Sequence, residues 1–166
     1  MAVRKRPSDY QENSIRVLKG LEPVKSRPGM YTLTDNPLHI IQEVLDNASD
    51  EVLGGFGDTI TLTMCADGSV AVEDNGRGIP VGIHPTEGIP TVELVFTQLH
   101  AGGKFDKASG GAYSFSGGLH GVGVSVTNAL SQHLNVTVWR DGKQYDIGFA
   151  DGFVSEPLTE QPCTRG

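Results

Sequence analysis

The chain is 166 residues long and carries 20 acidic against 13 basic side chains, a formal net charge of -7, which argues against the domain as a whole being a nucleic-acid-binding surface, because neutralising phosphates leaves a basic footprint. That length gives room for one domain with a sizeable core, and a second independent domain is not expected. No apolar run approaches the roughly 18 residues needed to cross a bilayer, and the basic start MAVRKRPSDY lacks a following apolar signal core, so a cytoplasmic location with no membrane partner is expected.

In chain order, residues 1–13 are polar, include Pro7 and mixed charges, and read as a flexible arm, with the ordered domain expected over 14–166. A short helix is expected from Ser14 to Gly20, before the turn-rich Arg27-Pro28-Gly29. Asn36-Pro37 sets up a long helix from Leu38 to about Leu53, stopped by Gly54-Gly55. Ile60, Leu62 and Met64 alternate with threonines and, with Val70 and Val72 after Asp67-Gly68, predict a hairpin with one buried face. Thr91 to His100 is apolar at helical spacing. The Gly/Ser/Lys-rich stretch from Ala101 to Gly118 is too long for an idle connection in a compact domain and reads as a lid. Val122 to Gln132 predicts a helix, and Leu134, Val136, Val138 and Tyr145, Ile147, Phe149 flank Asp141-Gly142 as a second hairpin. The class is therefore α/β, a sheet covered by helices on one face. The 22 glycines cluster rather than repeat, which suggests loops that approach a ligand. Cys65 and Cys163 match neither a metal-ligand spacing nor a disulfide framework.

On a helical wheel of residues 38–53, Leu38, Ile41, Val44, Leu45, Ala48 and Val52 share one face. His39, Glu43, Asp46, Asn47 and Asp50 form the opposite stripe, with Glu51 at its edge. Exposed helix faces usually mix signs at i,i+4, yet no Lys or Arg occurs between Arg27 and Arg77 while nine carboxylates do. Either solvent covers the stripe or a cation does. In the second case Asn47 offers an oxygen to Mg2+, a hard ion that prefers oxygen ligands, and Glu43, one turn away, orients and deprotonates a water.

Two glycine loops follow. Glu73-Asp74-Asn75-Gly76-Arg77-Gly78-Ile79-Pro80 comes directly after a strand, where a carboxylate such as Asp74 can accept a hydrogen bond from an adenine amino group while Gly78 lets the ring lie near the backbone. Asn75-Gly76 can equally make an ordinary tight turn. Ser116-Gly117-Gly118-Leu119-His120-Gly121-Val122-Gly123-Val124 opens a helix whose free N–H groups suit phosphate. It is neither a P-loop nor a dinucleotide fingerprint.

Glu43-Val44-Leu45-Asp46-Asn47, then Asp74-Asn75-Gly76-Arg77-Gly78, then Gly117-Gly118-Leu119-His120-Gly121-Val122-Gly123 resemble, in order, the three ATP-binding motifs of the gyrase, Hsp90, histidine kinase and MutL superfamily. The strings Arg27-Pro28-Gly29-Met30-Tyr31, Gly82-Ile83-His84-Pro85 and Leu99-His100-Ala101-Gly102-Gly103-Lys104-Phe105 resemble bacterial type II topoisomerase B subunits. Gly20-Leu21-Glu22-Pro23-Val24 and the short segment after Met30-Tyr31-Thr32 are more similar to the topoisomerase IV branch than to gyrase.

The resemblance implies a Bergerat-type sandwich, a mixed, mostly antiparallel sheet covered by helices on one face, that binds and hydrolyses ATP with Mg2+. By position, Glu43 matches the general base, His39 the residue that helps orient it, and Asn47 the magnesium ligand. Asp74 matches the adenine-binding carboxylate, Glu51 and Arg77 a pair beside the adenine, and Gly78, Ile79 and Pro80 the pocket lining. Gly103 and Lys104 belong to the lid, and Gly118, Leu119, His120, Gly121, Val122, Gly123 and Val124 to the phosphate-binding segment. Tyr10 resembles an arm residue that reaches the partner's nucleotide, and Arg140 a position at the pocket mouth that small-molecule ATP-site inhibitors contact. The implied partners are a second B subunit joined through bound ATP, a topoisomerase A subunit, and DNA held by other domains. After Thr164-Arg165-Gly166 the family continues with a second, transducer domain whose lysine reaches the γ-phosphate, so these 166 residues are expected to bind ATP, turn it over slowly and stay mostly monomeric. The alternatives are a gyrase B subunit, another ATPase of the superfamily, or a nucleotide-sensing module without hydrolysis.

Overall fold

The computed structural model describes residues 17–101 and 123–163. Its elements run α1 (Glu22–Ser26), a 3-10 turn (Pro28–Met30), α2 (Leu38–Leu53), β1 (Ile60–Met64), β2 (Val70–Asp74), α3 (Thr91–Thr97), α4 (Gly123–Leu130), β3 (His133–Arg140), β4 (Lys143–Ala150) and β5 (Phe153–Pro162). The strands pair antiparallel in two ladders, β1-β2 and β3-β4-β5, as the α/β reading expects.

Local chemistry sets the boundaries of α2. Asn36 accepts the Leu38 N–H on its side chain and the His39 N–H on its carbonyl, so two of the orphan donors of the first turn are satisfied. At the other end Gly54 and Gly55 donate to Asp50 and Val52, and Gly55 takes φ 77, a left-handed cap that costs glycine nothing. Two hairpin turns are specified by Asp-Gly. Asp141 and Gly142, and again Asp151 and Gly152, all have positive φ, as a turn matched to the twist of its strands requires.

α3 lies on the three-stranded sheet: Val92 and Phe96 are buried with Val138, Ile147 and Phe149, and the Phe96 and Phe149 ring centroids are 5.6 Å apart. A second cluster of Leu21, Val24, Val126 and Ala129 packs α1 against α4. Buried Asn128 of α4 joins the two clusters by donating from Nδ2 to Phe96 O at 2.9 Å and Gly152 O at 3.4 Å. α4 in turn packs on α2, and α2 on β2.

Three expectations shift. The helix expected at 14–20 falls partly outside the described residues, and Val17–Lys19 is not helical; α1 starts at Glu22 instead. Gly20 takes φ 55, which interrupts a helix, whereas Pro23 sits in the first turn of α1, where its missing N–H costs nothing. The helix from Thr91 ends at Thr97, because Gln98 is already extended and His100 has φ 63. The lid, arm and most of the phosphate loop lie outside the described residues.

The third difference is β5, which the sequence does not announce. It is the edge of its sheet and mostly exposed, so it lacks the apolar alternation that marks a half-buried strand, and it carries Pro157, which an edge tolerates.

Candidate functional site

α2 is clamped on its polar side by α4. Thr127 Oγ1 donates to Ile40 O of α2 at 2.8 Å and is 3.1 Å from Gly123 O. The start of α4 presses on Glu43: a β-carbon at Gly123 would collide with Glu43 Oε2 and lie 3.1 Å from Glu43 Cβ. Any larger residue at this position would have to displace the Glu43 side chain. The stripe is therefore no simple solvated face. Asp50 within it is 1% exposed, whereas Leu38 on the apolar face is 62% exposed.

Asn47 Nδ2 donates to Glu43 O at 2.7 Å. A carbonyl can only accept, so the amide nitrogen must face it, and Oδ1 is the branch turned to the other side. That is the atom a hard cation takes. His39 is held elsewhere: its Nδ1 is 2.8 Å from Thr32 Oγ1. Glu43 stands one turn further along the same helix face, roughly 5–6 Å away between β-carbons for such neighbours. Sequence reasoning misses Thr32, since nothing in a threonine seven residues before His39 marks it as a partner.

The turn after β2 is built around Asp74. Its Oδ1 accepts the Gly76 N–H at 2.8 Å, which engages one oxygen of the half-buried carboxylate within the turn. Gly76 and Gly78 are required for different reasons. A β-carbon at Gly76 would lie 2.9 Å from the Glu51 side chain, whereas Gly78 has φ 72 and presses on Val138 of β3. Ile79 packs against the same core cluster as Val138, and Pro80 is exposed.

Asn75 anchors the turn to the start of β1. Its Oδ1 accepts the Asp58 and Thr59 N–H groups at 2.9 and 3.0 Å, and its Nδ2 donates to Asp58 Oδ1 at 2.8 Å. The Asn75 amide, then the Thr59 hydroxyl, hold the Asp58 carboxyl below its ordinary value. A depressed folded-state value means that this contribution is present at neutral pH and fades as pH falls through it. Asn75→Ala is expected to bring Asp58 back toward the ordinary carboxylate range, read by NMR titration of its carboxyl carbon. An unmoved titration would show that Asn75 is not the cause.

Arg77 projects back to α2. Its Nε and Nη2 donate to Glu51 Oε2 and Oε1 at 3.1 and 2.9 Å, and its backbone N–H donates to Oε2 at 3.1 Å. Such a bidentate pair fixes the guanidinium plane. Phe56 lies over that plane, 3.3 Å from Cζ to ring centroid. From the other side, Arg140 at the end of β3 donates Nη1 to Gly78 O at 3.0 Å, which ties the three-stranded sheet to the turn.

Thus Glu43 of α2 meets Gly123 of α4, with Asn47 one turn along α2 bonded to the Glu43 carbonyl, and Glu51, Asp74, Arg77 and Gly78 meet at the adjoining turn, while Val124 packs against the core cluster of Val92 and Phe96. His39 lies on the same helix face but is hydrogen-bonded away from it, to Thr32. Tyr10, Gly103, Lys104, Gly118, Leu119, His120, Gly121 and Val122 lie outside the described residues. Among the described residues no cluster of three His, Cys, Asp or Glu side chains is placed to hold a metal, and no helix is long and apolar enough to cross a membrane. An apolar groove lined by Leu38, Ile41, Leu45, Leu62, Met64 and Val70 lies between α2 and the first hairpin, on the face of α2 away from Glu43.

Residues 33–159 match a family model described as "Histidine kinase-, DNA gyrase B-, and HSP90-like ATPase". The chain is 53% identical over 150 residues to the DNA topoisomerase 4 B subunit of Francisella tularensis, covering 90% of this chain and 23% of that protein. It is 54% identical over 156 residues to the DNA gyrase B subunit of Rickettsia typhi, covering 92% and 19%. Among solved structures it resembles the topoisomerase IV ATP-binding domain of Francisella tularensis in complex with a small-molecule inhibitor (TM-score 0.71, 48% identity, 86% of this chain and 64% of that one). It also resembles the 43K ATPase domain of Thermus thermophilus gyrase B in complex with an aminocoumarin (TM-score 0.74, 44% identity, 92% and 37%). The chain thus spans about a fifth of the length of these full-length relatives.

Proposed function

The chain belongs to the histidine kinase-, DNA gyrase B- and HSP90-like ATPase family, and from that premise we propose that it is the ATP-binding and hydrolysing region of a type II DNA topoisomerase B subunit, topoisomerase IV in preference to gyrase. The observation that carries this reading is the convergence of three separate sequence segments: the Glu43–Asn47 face, the Gly123 start of α4 pressed against it, and the Asp74–Gly78 turn bound to the same helix through Glu51 and Arg77. Identity alone does not separate topoisomerase IV from gyrase, at 53% and 54%. The preference rests on Gly20-Leu21-Glu22-Pro23-Val24 and on the short segment after Met30-Tyr31-Thr32.

In the proposed chemistry Asp74 accepts the exocyclic amine of adenine on the oxygen not used by Gly76, and Arg77 flanks the base. The N–H groups leading into α4 receive the phosphates. Glu43 orients a water and takes its proton as that water attacks the γ-phosphorus in line. His39 takes the orienting role by position only, since its Nδ1 is bonded to Thr32 and not to Glu43. Asn47 Oδ1, together with phosphate oxygens, would hold Mg2+, which when bound neutralises charge developing on the phosphates. In the assembled enzyme, ATP binding joins two B subunits, with Tyr10 reaching the partner's nucleotide. The A subunit and other domains handle DNA, and the protein works in the cytoplasm.

Calorimetric titration of the chain with a non-hydrolysable ATP analogue tests the reading. Saturable binding below millimolar concentration, tightened by Mg2+, is expected, and no binding at millimolar analogue defeats it.

A further inference from the structure

Phe56 is 41% exposed and belongs to neither core cluster, so apolar burial does not explain its position. Its backbone is tightly constrained. Gly54 must lack a side chain, because a β-carbon there would lie 2.9 Å from the Phe56 ring; Gly55 is left-handed; and a β-carbon at Gly57 would lie 2.8 Å from Asn75 Oδ1. The Phe56 N–H donates to Glu51 O at 2.9 Å, so one residue of α2 holds the main chain of Phe56 and, through its carboxylate, the side chain of Arg77. The consequence of that geometry is the stack of the ring on the guanidinium at 3.3 Å.

A guanidinium is flat, with N–H donors along its edges and two faces free of donors. Glu51 takes the edge carrying Nε and Nη2, Phe56 takes one face, and 36% of the Arg77 side chain stays accessible next to the Asp74–Gly78 turn. An arginine held on its edge and one face loses little freedom when a flat ring settles on the other. We propose that Phe56 is a positioning residue: it holds Arg77 flat as a wall against which the planar base of a purine nucleotide stacks, and so sets affinity at the base end of the ligand. This rests on the nucleotide reading above. It assigns to Phe56 no contact with the phosphates.

The test is binding of the non-hydrolysable ATP analogue to the chain and to its variants, with urea unfolding run in parallel. Phe56→Ala is expected to weaken binding about fivefold to tenfold. Phe56→Leu, which keeps apolar bulk without a ring, is expected to weaken it similarly, and Phe56→Tyr to bind as the unsubstituted chain does. In an Arg77→Ala background, Phe56→Ala is expected to add nothing, because the two act through one stack. Unchanged affinity in Phe56→Ala, affinity fully kept by Phe56→Leu, or additive losses in the double variant would each overturn the inference while leaving the nucleotide site standing. Failure of the unsubstituted chain to bind would instead overturn the nucleotide reading, and this inference with it.

Discussion

Glu43→Ala is expected to cut ATP turnover by at least about 100-fold, toward 10,000-fold, in a polypeptide long enough to include the region that follows in the relatives, while affinity for a non-hydrolysable analogue stays within about twofold. The asymmetry follows from where the carboxylate sits. Among the described residues the Glu43 carboxylate forms no hydrogen bond or ion pair. It is nevertheless fixed in place, because Gly123 packs against its Cβ and α4 is bolted to α2 through Thr127. A carboxylate packed along its stem and bonded to none of the described residues is suited to accept a proton. Glu43→Gln should lose turnover equally, which separates the proton-accepting role from shape. Unchanged turnover in either variant sinks the general-base assignment and favours a module that only senses nucleotide.

Both ends of α2 are legible in the sequence to the residue, because Asn36-Pro37 and Gly54-Gly55 act on backbone groups a few positions away. The hairpin turns are legible for the same reason, but the buried face expected of the first hairpin is not found, since Leu62 and Met64 are exposed. What the wheel of α2 cannot tell is what covers each face. Its acidic stripe is compatible with solvent or with a metal, and the answer depends on α4, some eighty residues later, arriving with a glycine at Gly123 and a hydroxyl at Thr127. Asp50 illustrates the limit: on the wheel it belongs with the exposed carboxylates, yet it is 1% exposed. Phe56 is silent in the sequence because a lone aromatic after two glycines has no periodic signature; its meaning appears only with Arg77 beside it. The edge strand β5 escapes notice because an exposed strand does not alternate. Gly20 and Pro23 do carry the signal that moves α1 to Glu22, since one interrupts a helix and the other favours its first turn.

At the base end of the site, Asp74→Asn is expected to weaken the adenine nucleotide about 100-fold, close to 3 kcal/mol. The reason lies in the turn rather than in the lost charge alone. The Gly76 N–H, 2.8 Å from Oδ1, would select the carbonyl oxygen of an asparagine, because two donors cannot face each other. The amide NH2 then points where the adenine amine arrives, donor against donor, and a site that rejected nothing at that position now repels its ligand. The same geometry makes a sharper statement. A 6-oxopurine triphosphate carries an acceptor where adenine carries its amine, so Asp74→Asn should bind the inosine analogue better than the parent does while losing the adenine analogue. Competition titrations of both nucleotides against both proteins read this directly. If the variant kept its preference for adenine, Asp74 could not be the group that reads the base, and its bond to Gly76 would be no more than the closure of a tight turn.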